Sequence, residues 1–258
     1  MTTHLSRGAG LGPLHLGGHH GRADLHIHTC HSDGRPTVQD VLDYVANRTR
    51  LKVIAITDHD TIEGALRAQE LQKRYRFDIV LGEEVTTRQG HVLALYIHER
   101  VPPLMSPQET IAAIHEQGGL AIAAHPFITA FGPEVQGIGR RFTDLPFDAV
   151  EVENSTPLMY VANYRAKRHN RRVGGLPVVG NSDAHIVEAV GKSYSRFPGT
   201  SAADLRLAIE RRQTTAHASA YASRELLAYA GFWLASLKPL RSVRARADFS
   251  RADKEIER

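Results

Sequence analysis

Short apolar runs alternate along this chain with segments of helical period, and most of the runs stop at a histidine, an aspartate or a glutamate. That alternation restricts the fold more than any other feature. Apolar runs of four to six residues suit strands buried on both faces, and repeated strand–helix units build a parallel sheet with helices outside it. Strands are expected at Ala23–His28, Val53–Ile56, Ile79–Leu81, Val92–Tyr96, Leu120–Ala123, Ala149–Val152 and Pro177–Val179. Between them, Ser106-Pro107-Gln108-Glu109 offers a capping serine, a first-turn proline and a glutamate that completes a capping box. Val38, Val41, Leu42 and Val45 recur at helical spacing after Thr37, as do Leu205, Ala208 and Ile209 after Ser201, so both segments predict outer helices.

The chain has 258 residues, 42% of them hydrophobic, enough for one large core, and a single β/α barrel fits that size. No internal repeat and no Pro- or Ser-rich linker divides it. We expect a Gly/His-rich leader over 1–22, a barrel over 23–218, and a C-terminal helix with a basic tail over 219–258. The leader lacks the apolar core of a signal peptide, and no apolar stretch reaches the roughly 20 residues of a membrane span. Leu226–Leu237 comes nearest and predicts a packed helix. A single cysteine, Cys30, excludes an internal disulfide and points to the cytoplasm. The net charge of +4 is mild, and much of it lies in the tail, at Arg241, Arg244, Arg246, Arg251, Lys254 and Arg258, where a solvated tail explains it better than nucleic-acid binding. The sequence leaves the oligomeric state open.

The polar clusters carry the chemistry. His26-Ile27-His28 ends the first expected strand, and strand alternation turns both imidazoles to one side. Asp33 follows in Ser32-Asp33-Gly34. Thr57-Asp58-His59-Asp60 ends the second strand, Gly82-Glu83-Glu84 the third, with His91 at the head of the fourth. Ala124-His125-Pro126 ends the fifth and Asn181-Ser182-Asp183-Ala184-His185 the seventh. Any one of these, alone, reads as a hydrogen-bonded core or loop residue. Together at strand ends, where barrel enzymes keep their sites, they call for a common ion or network, because buried polar groups without partners are costly.

In order and spacing these motifs resemble those of the PHP (polymerase and histidinol phosphatase) superfamily, from about Ala23 to His217. The resemblance implies a distorted seven-stranded (β/α)7 barrel of TIM-like form and two or three divalent ions, usually manganese, zinc or iron. It implies His26, His28, Glu84 and Asp183 around one ion, Glu84, His91 and His125 around a second, and Asp33, His59 and His185 around a third. The family's pattern of glycine, any residue, then glutamate selects Glu84, and Glu83, its neighbour on the strand, is expected to point the opposite way. The activity implied is metal-dependent hydrolysis of a phosphate ester, whether a small phosphomonoester, a nucleotide or an oligonucleotide end.

Such hydrolysis needs an acid for the leaving oxygen, for which His59, His185 and Asp58 are candidates. Asp58 serves equally well as a carboxylate that fixes a ligand imidazole. The segment from Phe127 to Leu145 offers Arg140 and Arg141, and Arg88 lies between Glu84 and His91; all three are candidate phosphate binders. Arg165, Lys167, Arg168, Arg171 and Arg172 predict an exposed helix surface. Competing readings are an amidohydrolase-type amidase or deaminase, which shares the opening His-x-His, a catalytically silent PHP domain, and a histidine-rich metal buffer resting on the leader. The later Asp58-His59 and Asp183-x-His185 clusters and the filled ligand positions favour the phosphoesterase.

Overall fold

The computed structural model describes residues 20–128 and 137–236, and the chain divides into two units, Met1–Ser219 and Ala220–Arg258. The leader as far as residue 19 and the basic tail from 237 lie outside the described residues, as does the middle of the Phe127–Leu145 segment.

In the first unit nine strands form one nearly closed, barrel-shaped sheet: β1 His20–Asp24, β2 Val53–Ile56, β3 Asp78–Thr87, β4 Gly90–Leu95, β5 Leu120–Ala123, β6 Ala149–Asn154, β7 Val178–Asn181, β8 Ser193–Pro198 and β9 Thr215–Ala218. Their order is β7-β6-β5-β4-β3-β2-β1-β8-β9. All seven expected strands overlap β1 to β7, but β1 ends at Asp24, short of His26 and His28, and β3 runs past Glu84 to Thr87. Among the described residues the sheet has nine strands where seven are expected. In β8 the inward residues include Ser193 and Ser195, fully buried but polar, so no apolar alternation marks the strand, and in β9 no residue is buried. Ser195 Oγ accepts from Gly180 N at 3.0 Å and donates to Gly180 O at 3.0 Å, which ties β8 to β7 where an apolar side chain could not. β1 also begins earlier than expected, because His20–Arg22, assigned to the leader, pair antiparallel with β8.

The β/α repeat is interrupted at the β3–β4 hairpin and again at β8, which is antiparallel to both β1 and β9. β3 and β4 form an antiparallel hairpin, β4 is antiparallel to β5 as well, and the pairs β1–β2, β2–β3, β5–β6 and β6–β7 are parallel. The helices are α1 Val38–Arg48, α2 Glu63–Leu71, α3 Pro107–Glu116, α4 Tyr160–Arg172 and α5 Ala202–Glu210. Thr37, Ser106 and Ser201 each cap a helix through a complete box with Asp40, Glu109 and Asp204. α4 carries the basic group from Arg165 to Arg172. The second unit contains α6 Ser223–Ser236, and no described helix is long and apolar enough to cross a membrane.

β2, β4 and β5 are buried on both faces, which is why they read as continuous apolar runs: Ala23, Leu25, Val53, Ala55, Leu93 and Ile122 belong to one core cluster, while Ile54, Ile56 and Val92 between them are buried as well. The seam between β1 and β7 is joined by polar groups. His28 N donates to Ala184 O at 2.9 Å, Leu25 N to Asn181 Oδ1 at 3.0 Å, and the buried Asp24 carboxylate accepts from Ser182 N at 2.9 Å and Gly191 N at 2.7 Å.

Glu83 and Glu84 do point oppositely. Glu83 is fully buried away from Glu84's partners, accepts from Val101 N, and leaves its second oxygen without a hydrogen bond. Burial pushes its carboxyl up from 4.5 to about 7. A carboxyl raised in the folded state is harder to ionise there than in the unfolded chain, so folding loses stability as pH climbs from 4.5 to 7 and no further above that. Glu83→Gln should therefore gain on the parent across that window, by up to roughly 3 kcal/mol, and show a pH-independent difference outside it. Urea unfolding of both proteins at a series of pH values checks this.

Candidate metal centre

The strand ends converge because two chain segments extend the sheet beyond its regular ladders. After β1 the chain runs between β2 and β7, with Thr57 N donating to Ile27 O at 2.8 Å on one side and Ala184 bridged to Ile27 on the other. After β2, His59 bridges to Glu84 of β3. These two bridges bring His26, His28, His59, Glu84 and Asp183 to one mouth of the barrel.

At the middle lies Glu84, 1% exposed. Its Oε1 is 3.0 Å from His91 Nδ1 and 3.0 Å from His125 Nε2, and its Oε2 is 3.0 Å from His26 Nε2, 3.2 Å from His28 Nε2 and 3.3 Å from His59 Nδ1. Asp183 Oδ1 lies 3.4 Å from His26 Nε2 and 3.2 Å from His28 Nε2. Asp33, on the outer side, is 3.2 Å from His185 Nε2, 3.5 Å from His28 Nδ1 and 3.9 Å from His59 Nε2. His28 and His185 stack at 4.3 Å between centroids, and His28 and His59 are 4.7 Å apart. His125 and Asp183 both hold positive φ, 23° and 54°, a strained backbone of the kind that persists where surrounding contacts over-determine it.

Three sets of donor atoms, each within 4.8 Å of one another, emerge: His26, His28, Glu84 and Asp183; His28, Asp33, His59 and His185; and His59, Glu84 and His91. The first is the set inferred from the motifs. The second adds His28 to the expected trio. In the third His59 joins Glu84 and His91, while His125 approaches the same Glu84 oxygen that His91 does. The residues fit divalent cations on a further observation. His28 Nδ1 and Nε2, His59 Nδ1 and His91 Nδ1 are buried and face carboxylate oxygens at 3.0 to 3.5 Å without making a hydrogen bond. Such nitrogens are costly unless a cation accepts their lone pairs, and imidazole with carboxylate is a donor set that suits zinc, iron or manganese.

The electrostatics agree with that donor set. Burial alone would lower the imidazoles, but Asp183 and Glu84 beside His28 outweigh it and raise the ring to about 10, and Glu84, Asp183 and Glu151 hold His26 well above its ordinary range. Burial would raise the Glu84 and Asp183 carboxyls; the imidazoles around them outweigh it and hold both well below. His59 goes the other way. Burial, helped by His28 and His91, lowers it to about 4.

Glu151, Asn154, Thr156 and Asn181 also belong to the site, and the sequence reading missed them. Glu151 Oε1 is 3.1 Å from His26 Nδ1 and accepts from Asn181 Nδ2 at 2.9 Å, while Oε2 accepts from His125 N at 2.9 Å and Asn154 Nδ2 at 3.0 Å. Asn154 Nδ2 and Thr156 Oγ1 donate to Asp183 Oδ2 at 3.0 and 3.2 Å. The available signal was Glu151 itself, a charge in the middle of Ala149-Val150-Glu151-Val152.

Asp58 is 1% exposed and in none of the three sets. Its Oδ1 accepts from Thr29 N at 2.6 Å and Ser32 Oγ at 2.7 Å, and its Oδ2 from Thr29 Oγ1 at 2.7 Å. It thus pins the loop that carries Asp33. Two glycines permit this: a Cβ on Gly64 would stand 2.2 Å from Asp58 Oδ2, and one on Gly34 would stand 2.5 Å from the His28 carbonyl. Arg88 is exposed at the turn of the β3–β4 hairpin, and Arg140 and Arg141 are exposed in a short 3-10 turn, Gly139–Thr143. Among the described residues, no hydrogen bond or ion pair joins these arginine side chains to the centre.

Comparison with known proteins matches residues 24–145 to the PHP domain and 161–214 to a PHP-associated region. An uncharacterised protein of Methanocaldococcus jannaschii is 39% identical over 145 residues, which are 52% of this chain and 82% of that one. A phosphoribosyl 1,2-cyclic phosphate 1,2-diphosphodiesterase of Eggerthella lenta is 38% identical over 87 residues, 31% of this chain and 33% of its own. Among solved structures, a two-domain protein of Bacteroides vulgatus containing a predicted PHP-like metal-dependent phosphoesterase superposes with a TM-score of 0.63 at 18% identity, over 78% of this chain and 65% of that one.

Two outcomes follow. Because Asp183 and Glu84 raise His28 to about 10, and His26 is raised as well, loading the metal-free protein with zinc at pH 7.5 should release at least about one proton per chain, read as the buffer dependence of the calorimetric heat. Glu151→Gln cannot satisfy four donors with one oxygen, and metal affinity should fall about ten- to a hundredfold in chelator competition.

Proposed function

This chain belongs to the PHP family, and we propose that it is a hydrolase that cleaves a phosphoric ester at the buried centre around Glu84. The observation that carries this reading is the sharing of residues between the three donor sets: His28 is common to two, Glu84 to two and His59 to two. Sets that share donors put their ions side by side, which is the arrangement an in-line displacement at phosphorus uses.

We assign His26, His28, Glu84 and Asp183 to one ion, Glu84, His91 and His125 to a second, and Asp33, His59 and His185 to a third, two or three in all, with manganese, zinc and iron as the candidates. Bound there, divalent cations supply Lewis acidity, which lowers the pKa of water and cancels the charge of the phosphate.

The chain's own groups do the rest. Glu84 presents one oxygen to each side and so fixes the spacing of the donors. Glu151 orients His26, and Asn154 with Thr156 orients Asp183. His59, unprotonated at neutral pH, suits a lone-pair donor and not an acid. With two ions bound and the third set empty, the proton for the leaving oxygen falls to His185, whose Nδ1 lies 3.1 Å from the Asp183 carbonyl and whose Nε2 lies 3.2 Å from Asp33 Oδ2; with a third ion bound, His185 is its ligand and not an acid. Asp58 holds the Asp33 loop in place of donating a proton. Arg88, Arg140 and Arg141, exposed, serve in this reading only as groups that meet phosphate outside the centre.

The substrate we propose is a small phosphorylated molecule, a nucleotide or an oligonucleotide end. The Eggerthella relative acts on a cyclic diester, so diesters stand beside monoesters. One cysteine, exposed, suits the cytoplasm.

Manganese-loaded protein should hydrolyse one or more members of a panel of phosphomonoesters, phosphodiesters and short oligonucleotides, with phosphate or alcohol release as the readout. His26→Ala combined with His28→Ala should lower turnover by at least about a thousandfold, since two of the three donor sets lose members. Full activity in that variant, or release of ammonia without ester cleavage from amide substrates, would overturn the assignment.

A further inference from the structure

At the other end of the barrel, where β2 and β3 begin, a cavity of about 570 Å³ opens between the end of α1, the connection into β2 and the connection into β3. Arg50, Lys52, Arg74 and Arg76 stand around it, all four exposed, and no carboxylate lines it. None of the four belongs to any ion pair among the described residues, although other basic residues do, such as Arg67 with Glu70 and Arg206 with Glu210. The nearest acid on α1, Asp43, is already engaged by Tyr75 Oη at 2.8 Å and Gln39 Nε2 at 3.1 Å.

Like charges gathered around a concavity repel one another, and their summed field concentrates anions there. Guanidinium forks match phosphate oxygens in geometry, and two of the three arginines come from one short connection, Arg74 to Arg76. That same connection brings Tyr75 and Phe77 to the lining, with ring centroids 5.3 Å apart. Aromatic faces take planar rings by stacking. The volume is that of a small-ligand site. One element opposes an anion: α1 ends at Arg48 beside the cavity, and a helix C-terminus is the negative end of its dipole. Thr49 relieves this, because both its N–H and its hydroxyl go to Val45 O, at 3.3 and 2.9 Å.

We propose that this cavity is a second binding site, separate from the metal centre, for a small organic phosphate that joins two or more phosphate charges to a planar ring, as a nucleoside diphosphate does. The phosphates lie among Arg50, Lys52, Arg74 and Arg76, and the ring lies against Tyr75. The site does not depend on the phosphoesterase reading.

Calorimetric titration of the full, metal-loaded chain with ADP and with pyrophosphate tests it, in the parent, in Arg74→Ala with Arg76→Ala, and in His26→Ala with His28→Ala. The arginine pair is exposed, so the variant should melt as the parent does and hydrolyse phosphoesters at the parent's rate. Its affinity for one ADP per chain should fall at least about tenfold, with two charge-assisted contacts gone. The histidine variant, crippled at the centre, should keep that ADP. Pyrophosphate should bind the same site more weakly than ADP, since it has no ring to stack. An ADP stoichiometry and affinity unchanged by the arginine substitutions overturns the proposal, as does binding that vanishes with the histidines alone. Should the histidine variant not fold, the loss of one ADP site between the parent and the arginine variant decides the matter by itself. Equal affinity for ADP and pyrophosphate overturns the ring-binding half and leaves an anion site.

Discussion

A single buried carboxylate, Glu84, sets the conditions under which this fold can exist. Its two oxygens face five imidazoles at 3.0 to 3.3 Å in a place with almost no access to water. An isolated buried carboxylate is severely destabilising, and isolated buried imidazolium ions are as well; only mutual neutralisation or a bound cation makes the cluster tolerable. The barrel closes around this cluster. β1, β2, β3 and β7 each give up regular pairing at their ends, and single bridges and side-chain hydrogen bonds replace it where the ligands need room.

The support around the centre is consistent with that demand. Glu151 receives donors from three separate chain segments and so locks His26 and the His125 backbone in one frame. Asp58 does the corresponding task for the Asp33 loop from the other side. Both are fully buried carboxylates whose oxygens are occupied by hydrogen bonds, and each contributes position more than charge. The ends of the barrel then differ in kind. One mouth gathers carboxylates and imidazoles suited to cations, and the other carries unpaired arginines and a lysine suited to anions.

Much of this was legible in the residues. The apolar runs of β2, β4 and β5 announce strands covered on both faces, and Ser106 with Glu109 announces the start of α3, because the capping chemistry is local. The ligand types and their order along the chain were equally plain. β8 was not, because its buried positions are serines whose burial is repaid only by hydrogen bonds to β7. The antiparallel pairing of β3 and β4 was not legible, since pairing direction leaves no trace in the apolar pattern of a strand buried on both faces. Glu151 was passed over because a charged residue within a strand says nothing about what lies across the barrel from it.

By itself, then, the sequence determined which side chains could bind cations, that most of them sit at or just past strand ends, and that an α/β sheet would carry them, since residue type and periodicity are local properties; Glu84, expected to end β3, lies within it. Tertiary structure alone decided which donors meet. His28 stands between Asp33, Glu84 and Asp183, His59 reaches Glu84 as well as Asp33, and Asp58 turns to the Thr29 loop and away from the ligands. Those distances depend on how far β1 extends between β2 and β7 and on the backbone strain held at His125 and Asp183. Such quantities arise from the closure of the whole barrel and from no single segment.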